Sequence, residues 1–236
     1  MATILAHPAS SSTPTALRRL PVFLDGSEAC VGETQIISGA ARIARGILGP
    51  EAVLTAAGFA RRTRNQVLCL LGDTPPPEGL EPIGEARFAT QSGDSGPVVL
   101  RFAELAEPAE RRKGRHDVIF EPLGPRGAGL NGTFAFAGLL DFEDLLSLIV
   151  ETVKGVHLAG PGMLDDLRFA GFRQTALPVG AAPMMAGKLT VRHLRVMERA
   201  PRLRTVSRVQ IEGPGGDSLA ATVTFVCSAP VAAPAA

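Results

Sequence analysis

With 236 residues the chain is long enough for one large domain or two small ones, and 45% hydrophobic and 20% charged residues suit a globular protein with a sizeable core. A formal net charge of +1 offers no general attraction to nucleic acid or anionic membrane, and the absence of Trp and Tyr beside 11 Phe leaves no tyrosine acid and few rings for base stacking. Cys30, Cys69 and Cys227 lack CxxC or Cys/His spacing, which argues against a disulfide framework or a structural zinc site and for a reducing, cytoplasmic compartment.

The first residues, MATILAHPASSSTPTALRRL, are rich in Ser, Thr and Pro and free of acids. That fits a transit peptide or a disordered start, and the lack of a continuous amphipathic pattern favours disorder for residues 1–19. No run reaches the roughly 18 to 20 apolar residues of a membrane span. A short strand is expected from Leu20 to Leu24, closed by Asp25-Gly26. From Glu33 to Leu48, Ile36, Ile37, Ala40, Ile43, Ala44, Ile47 and Leu48 line one face of a helix, and Gly49-Pro50 ends it. Strands are expected near 53–61, 66–71, 83–90 and 98–103, with DTPPPEG as a loop between the second and third. ELAEPAERRKGRH, residues 104–116, carries charge without a core-forming period and reads as a linker or surface loop. Arg111, Arg112, Lys113 and Arg115 suit a phosphate site there, although a solvated charge run accounts for them more simply.

Val118 to Phe120 is a strand candidate, and PLGPRGAGLNG a glycine-rich approach to the strongest element of the chain. From Leu139 onward, Phe142, Leu145, Leu146, Ile149, Val153 and Val156 recur at three- and four-residue spacing, the stripe of an amphipathic helix. Asp141, Glu143 and Asp144 in its first turn, and Lys154 and His157 in its last, match the helix dipole, and Gly160-Pro161-Gly162 stops it. Four strands follow, at 167–177, 188–197, 203–212 and 219–227. LTVRHLRVM and LRTVSRVQI alternate apolar with polar residues, and IEGPGGDSL supplies a hairpin turn.

Strand, long helix, then four antiparallel strands is the element order of the hot-dog fold, an α+β architecture in which a curved antiparallel sheet wraps one central helix. DLRFAGFRQTALPVGAAPMMAGKLTVRHLRVMERAPRLRTVSRVQIEGPGGDSLAATVTFVC, Asp166 to Cys227, resembles the C-terminal half of hydroxyacyl-thioester dehydratases and acyl-CoA thioesterases. The likeness lies in strands and turns rather than in a catalytic motif. The N-terminal half repeats helix-then-strands less cleanly, which points to a double hot-dog. Its units are 20–105, a degenerate copy, and 106–228, the C-terminal domain, with a flexible tail at 229–236.

The resemblance implies an acyl thioester of coenzyme A or of an acyl carrier protein as partner, thioesterase- or dehydratase-like processing of it as function, no cofactor, and a homodimer or paired halves around the substrate. In the dehydratases a histidine in the pre-helix loop works with a helical carboxylate; residues 121–138 contain no histidine, and His116 falls before the strand. Some hot-dog thioesterases instead pair Asn or Gln near the helix start with a helical carboxylate. Asn131 with Asp141, Glu143 or Asp144 matches that set, and amides of Gly132, Thr133 or Gly138 are candidates to hold the oxyanion. The same residues also read as an ordinary turn followed by helix-stabilising acids. Without the dehydratase histidine, a non-catalytic acyl-binding or assembly protein of the same fold is the alternative. A remoter one is a serine hydrolase: Gly93-Asp94-Ser95-Gly96-Pro97 is similar to the nucleophile segment of chymotrypsin-like proteases, though the upstream histidine is His7 alone and a turn explains the letters. His193, on an alternating strand, reads as a solvent-side or inter-sheet histidine, and His157 as a partner of the helix dipole. The four histidines do not cluster in sequence, so no metal site follows.

Overall fold

A computed structural model describes residues 17–25, 29–112, 119–122, 131–158, 167–180, 184–199, 202–216 and 218–228, with backbone alone at 119–122 and a few strand positions. The expected disordered start before Leu17, the tail from 229, Lys113, Arg115, His116 and the Gly160-Pro161-Gly162 stop lie outside these residues.

In chain order the elements are β1 (Leu17–Leu20), β2 (Phe23–Asp25), α1 (Glu33–Leu48), β3 (Ala52–Phe59), β4 (Asn65–Leu71), β5 (Pro82–Thr90), β6 (Val98–Pro108), β7 (Glu110–Arg112), β8 (Ile119–Pro122), β9 (Asn131–Leu140), α2 (Phe142–Leu158), β10 (Arg168–Arg173), β11 (Leu177–Pro178), β12 (Met184–Arg199), β13 (Arg202–Glu212) and β14 (Ser218–Ser228). Ile36, Ile37, Ala40, Ala41 and Ala44 form the buried stripe of α1, and the Gly49 amide closes that helix on the Arg45 carbonyl at φ +83. Leu145, Leu146, Ile149, Val153 and Val156 do the same for α2. Strand alternation is equally direct: Leu100 and Phe102 of β6 are fully buried while Arg101 between them faces away.

Two expectations change. Residues 104–112 are not a linker: β6 runs on to Pro108, and β7 pairs in parallel with β2, Phe23 opposite Glu110. Residues 131–140 are not an approach loop but a ten-residue strand, pairing β12 on one side and β8 on the other. Phe134, Phe136 and Leu140 are buried along β9, so its alternation of large and small residues was a strand signal. The helix accordingly begins at Phe142.

All but β2 and β7 join one twelve-stranded sheet in the order β1-β4-β6-β5-β3-β10-β14-β13-β12-β9-β8, with β11 added on β3. The first five of these strands follow or precede α1, the rest belong with α2, and one apolar core runs through both halves. Between the halves is a thin seam. β10 meets β3 at Gly171 opposite Gly58 and at Phe172 opposite Ala57, and β11 adds Leu177 and Pro178 opposite Leu54 and Val53. Backbones are crowded here: a Cβ on Gly171 would lie 2.0 Å from the Ala57 carbonyl oxygen, and one on Gly84 2.5 Å from that of Gly58. Below the seam, Phe169 packs edge-on to Phe172 and Phe225, with ring centres 5.1 and 5.9 Å apart.

Candidate functional site

The first turn of α2 is a reciprocal cap. Asp144 donates its amide to Asp141 Oδ1 at 2.9 Å, and Asp141 donates its own to Asp144 Oδ2 at 3.3 Å. Glu143, with its side chain largely covered, faces Arg112 at 3.7 Å. Arg112 grips Asp25 at 2.5 Å and lies over the Phe23 ring, and Gln35 of α1 completes the cluster through Asp25 and the Phe23 amide. These carboxylates thus tie the β2–β7 pair to both helices.

Asn131 does not join them. It opens β9 and Asp141 follows its end, so ten residues at about 3.3 Å each separate the two. Its Oδ1 accepts the His193 amide at 2.9 Å. Gly132 and Thr133 sit beside it in the ladder opposite Val191 and Thr190, and the Thr133 and Thr190 hydroxyls are 3.4 Å apart. Only Gly138, at φ +137, lies near the helix start. The Asn-plus-carboxylate set read from the sequence is pulled apart because the segment between its members is extended.

The end of α2 holds a different group. His157 is 2% exposed; its Nε2 is 3.3 Å from both Thr205 Oγ1 and Ser207 Oγ, and its ring meets His193 edge-on at 5.5 Å. Burial, with His193 adding to it, pushes its pKa down to about 4. The side chain is therefore neutral at pH 7 and not the charged dipole partner expected from its position. His193 is likewise lowered by burial, and the Nδ1 atoms of both rings are buried without a hydrogen bond. Among the described residues, no three His, Cys, Asp or Glu side chains form a metal-binding group. Ser95 is exposed in the β5–β6 turn, its amide 3.4 Å from Thr90 Oγ1, so its pentapeptide is a hairpin turn.

A feature with room for a ligand is at the seam. A cavity of about 770 Å³ opens between the halves, within the range of small-molecule sites, lined by Phe59, Leu70, Phe169 and Val226 among apolar groups. Glu33, the first residue of α1, faces it with its side chain 13% exposed and one oxygen 3.4 Å from Arg62 Nε. Burial raises the Glu33 pKa above the usual carboxylate value, opposed by its own backbone amide, by Arg62 and by Lys154. Arg61, Arg62, Arg101, Arg168, Arg173 and Arg204 line the same space, against only Glu33 and Glu85 as acids. Arg61 is held by Glu81 and Glu104, Arg101 by Asp73, and Glu85 by Arg87. A carboxylate kept mostly from bulk water can act as a base toward a water or hydroxyl in the cavity, and guanidinium groups can anchor an anion. Sequence reasoning missed this set because its members come from six elements or connections. The one available signal was that Glu33, like Asp141, opens an amphipathic helix.

No protein-family model and no curated protein sequence matches the chain. Solved structures do. A TesB protein of Mycobacterium avium subspecies paratuberculosis superposes with a TM-score of 0.53 at 9% identity, covering 91% of this chain and 92% of its own. A hot-dog protein of unknown function from Alicyclobacillus acidocaldarius gives 0.52 at 9% identity, over 86% and 89%. An isomerase-inactive variant of the dehydratase GphF DH1 gives 0.50 at 12% identity, over 87% and 85%. Such likenesses extend across both halves, and with two helices wrapped by one antiparallel sheet they make the fold of this chain a double hot-dog.

Proposed function

We propose that the protein binds an acyl thioester, on coenzyme A or an acyl carrier protein, in the seam cavity, and processes it in a thioesterase- or dehydratase-like way with Glu33 as the base. The observation that carries this reading is the largely covered Glu33 carboxylate facing a cavity that is apolar at Phe59 and Phe169 and cationic around them. For hydrolysis, Glu33 would take a proton from a water as its oxygen attacks the thioester carbonyl carbon; the C–S bond then breaks and Glu33 returns that proton to the leaving sulfur, giving acid and thiol. A base must be ionised, so kcat/KM rises with pH through a pKa above the usual carboxylate value. Glu33→Gln removes both that pH dependence and most of the turnover, by at least about a hundredfold.

Two observations favour a non-catalytic acyl-binding protein instead: no histidine lines the cavity among the described residues, and Glu33 already has a cationic partner in Arg62. The two readings separate on acyl-CoA thioesters of several chain lengths, followed by thiol release and by melting temperature. Stabilisation with Glu33-dependent thiol release supports the enzyme, and stabilisation without turnover supports the binder. Neither response, at any chain length, sinks both. Turnover lost in Glu143→Ala or Asp144→Ala but kept in Glu33→Gln would move the site to the start of α2.

A further inference from the structure

We infer that the outer face of the sheet over β12 and β13 is a docking surface for an acidic helical segment of another protein, held by Arg192, Arg195, Arg204 and Arg208. The inference is independent of the acyl reading, since Arg192, Arg195 and Arg208 do not line the seam cavity.

The registers fix which side chains share this face. Leu189 and Val191 of β12 stand opposite Ile211 and Val209 of β13, and all four are buried in the core. The alternate positions face away from it. Arg192 stands directly opposite Arg208, and beyond the bulge between His193 and Arg195 the pairs are Arg195 with Val206 and Met197 with Arg204. On the following strands Arg208 is opposite Thr222 of β14, and Thr222 is opposite Arg173 of β10. All five arginines are exposed, and none has an ion-pair partner among the described residues. The same face of the first half is built differently. There Arg87 is held by Glu85 and Arg101 by Asp73. Two like charges directly across a ladder destabilise it, so a negative partner outside the chain turns the Arg192–Arg208 opposition from a cost into an attraction.

Chemistry, spacing and extent together select the occupant. The planar guanidinium fork matches a carboxylate with two hydrogen bonds. Arg204 and Arg208 are four residues apart on one strand, about 13 Å, and adjacent strands lie about 4.8 Å apart. Glutamates at i, i+4 and i+8 of a helix repeat at about 6 and 12 Å, which fits both spacings. A helix laid on a sheet face is the ordinary layer packing of proteins, and Val206, Thr222, Thr224 and Val226 leave a floor of small side chains between the arginines. A long polyanion fits less well. Glu212 ends the patch on β13, about 13 Å from Arg208, and none of the outward residues from Lys188 to Met197 or from Arg204 to Glu212 carries a ring to stack on a base. Nor does the small-residue floor offer anything large to insert into a bilayer.

The test uses the whole chain and four probes: a monomeric helical peptide with glutamates at i, i+4 and i+8, a shuffled peptide of the same composition, a short duplex DNA, and phosphatidylserine-containing vesicles. The expected result, by titration at low salt, is that the acidic helix binds at least tenfold more tightly than the shuffled peptide. Its affinity should fall with added salt and at least tenfold in Arg192→Gln/Arg208→Gln. Arg87→Gln, an exposed and ion-paired arginine of the same face in the first half, should leave it unchanged. Removing the opposed charges should keep the melting temperature of the double variant at or above that of wild type, so lost binding is not lost folding. Arg195→Gln/Arg204→Gln should weaken the helix as well. No binding of the helix, equal binding of the two peptides, or tighter binding of DNA or vesicles through the same arginines overturns the inference. A lower melting temperature in the first variant, with helix binding intact in the second, assigns the arginines to the fold and overturns it too. Thiol release from acyl-CoA, measured on the first variant, reports on the acyl reading separately and should not change.

Discussion

His157 shows how a single side chain can couple the core to pH. Its pKa is about 4 in the fold and about 6.5 in an unfolded chain. As pH falls below 6.5 the unfolded chain takes up the proton first, so stability is constant above that value, declines toward pH 4 and then levels off. The loss reaches at most about 2 kcal/mol at pH 5. The groups around it, His193, Thr205 and Ser207, supply no negative charge to hold an imidazolium. Urea unfolding of wild type and His157→Gln at pH 7.5, 6 and 5 should show a gap that narrows as the pH falls. Parallel curves would mean that the ring titrates freely. Sequence alone placed this histidine correctly at the helix end yet gave it the opposite charge state, because its burial depends on β13 and β14, some fifty residues downstream.

The elements were the most readable scale. The limits of α1, Glu33 and Leu48, follow from its apolar stripe and the Gly49 stop, and the last three strands were visible from alternation and turns. β9 was hidden because Gly132, Gly138 and the short apolar run between them also suit a loop, and only pairing with β8 and β12 decides between them. That one misreading also set Asn131 beside the acids of α2, since a loop would have let it reach them where the extended strand holds it away. Those acids are first of all a cap: Asp141→Ala should lower stability by about 1 kcal/mol, seen as a fall in melting temperature, with thioester turnover unchanged. At the seam the prediction is harsher. Gly171→Ala forces a side chain onto the Ala57 carbonyl at φ +149, and should cost about 3 kcal/mol or more, whereas Gly46→Ala, with open space on an exposed helix position, should gain up to about 1 kcal/mol from helix propensity. Equal melting temperatures for the two variants would show that the strands can move apart.

At the scale of the whole molecule, the double hot-dog was inferred from element order, and its continuity was not. Nothing in the residues of β3 and β10 announces that they meet, since the pairing is brief and its partners lie more than a hundred residues apart. The cavity with Glu33 and its arginines was invisible for the same reason. It exists only once the halves are joined. No helix among the described residues is long and apolar enough to cross a membrane.

Joining two halves in one chain has a further consequence, for symmetry. Two identical subunits must carry the same residues at both of their equivalent helix starts, and so offer either two sites or none. Here the equivalence is broken. The start of α1 turns Glu33 toward the cavity, whereas the start of α2 spends Asp141 and Asp144 on each other and Glu143 on Arg112. On the proposed reading a chain built this way takes one acyl ligand rather than two, and calorimetric titration should then saturate at a stoichiometry of one per polypeptide, whatever number of chains assemble.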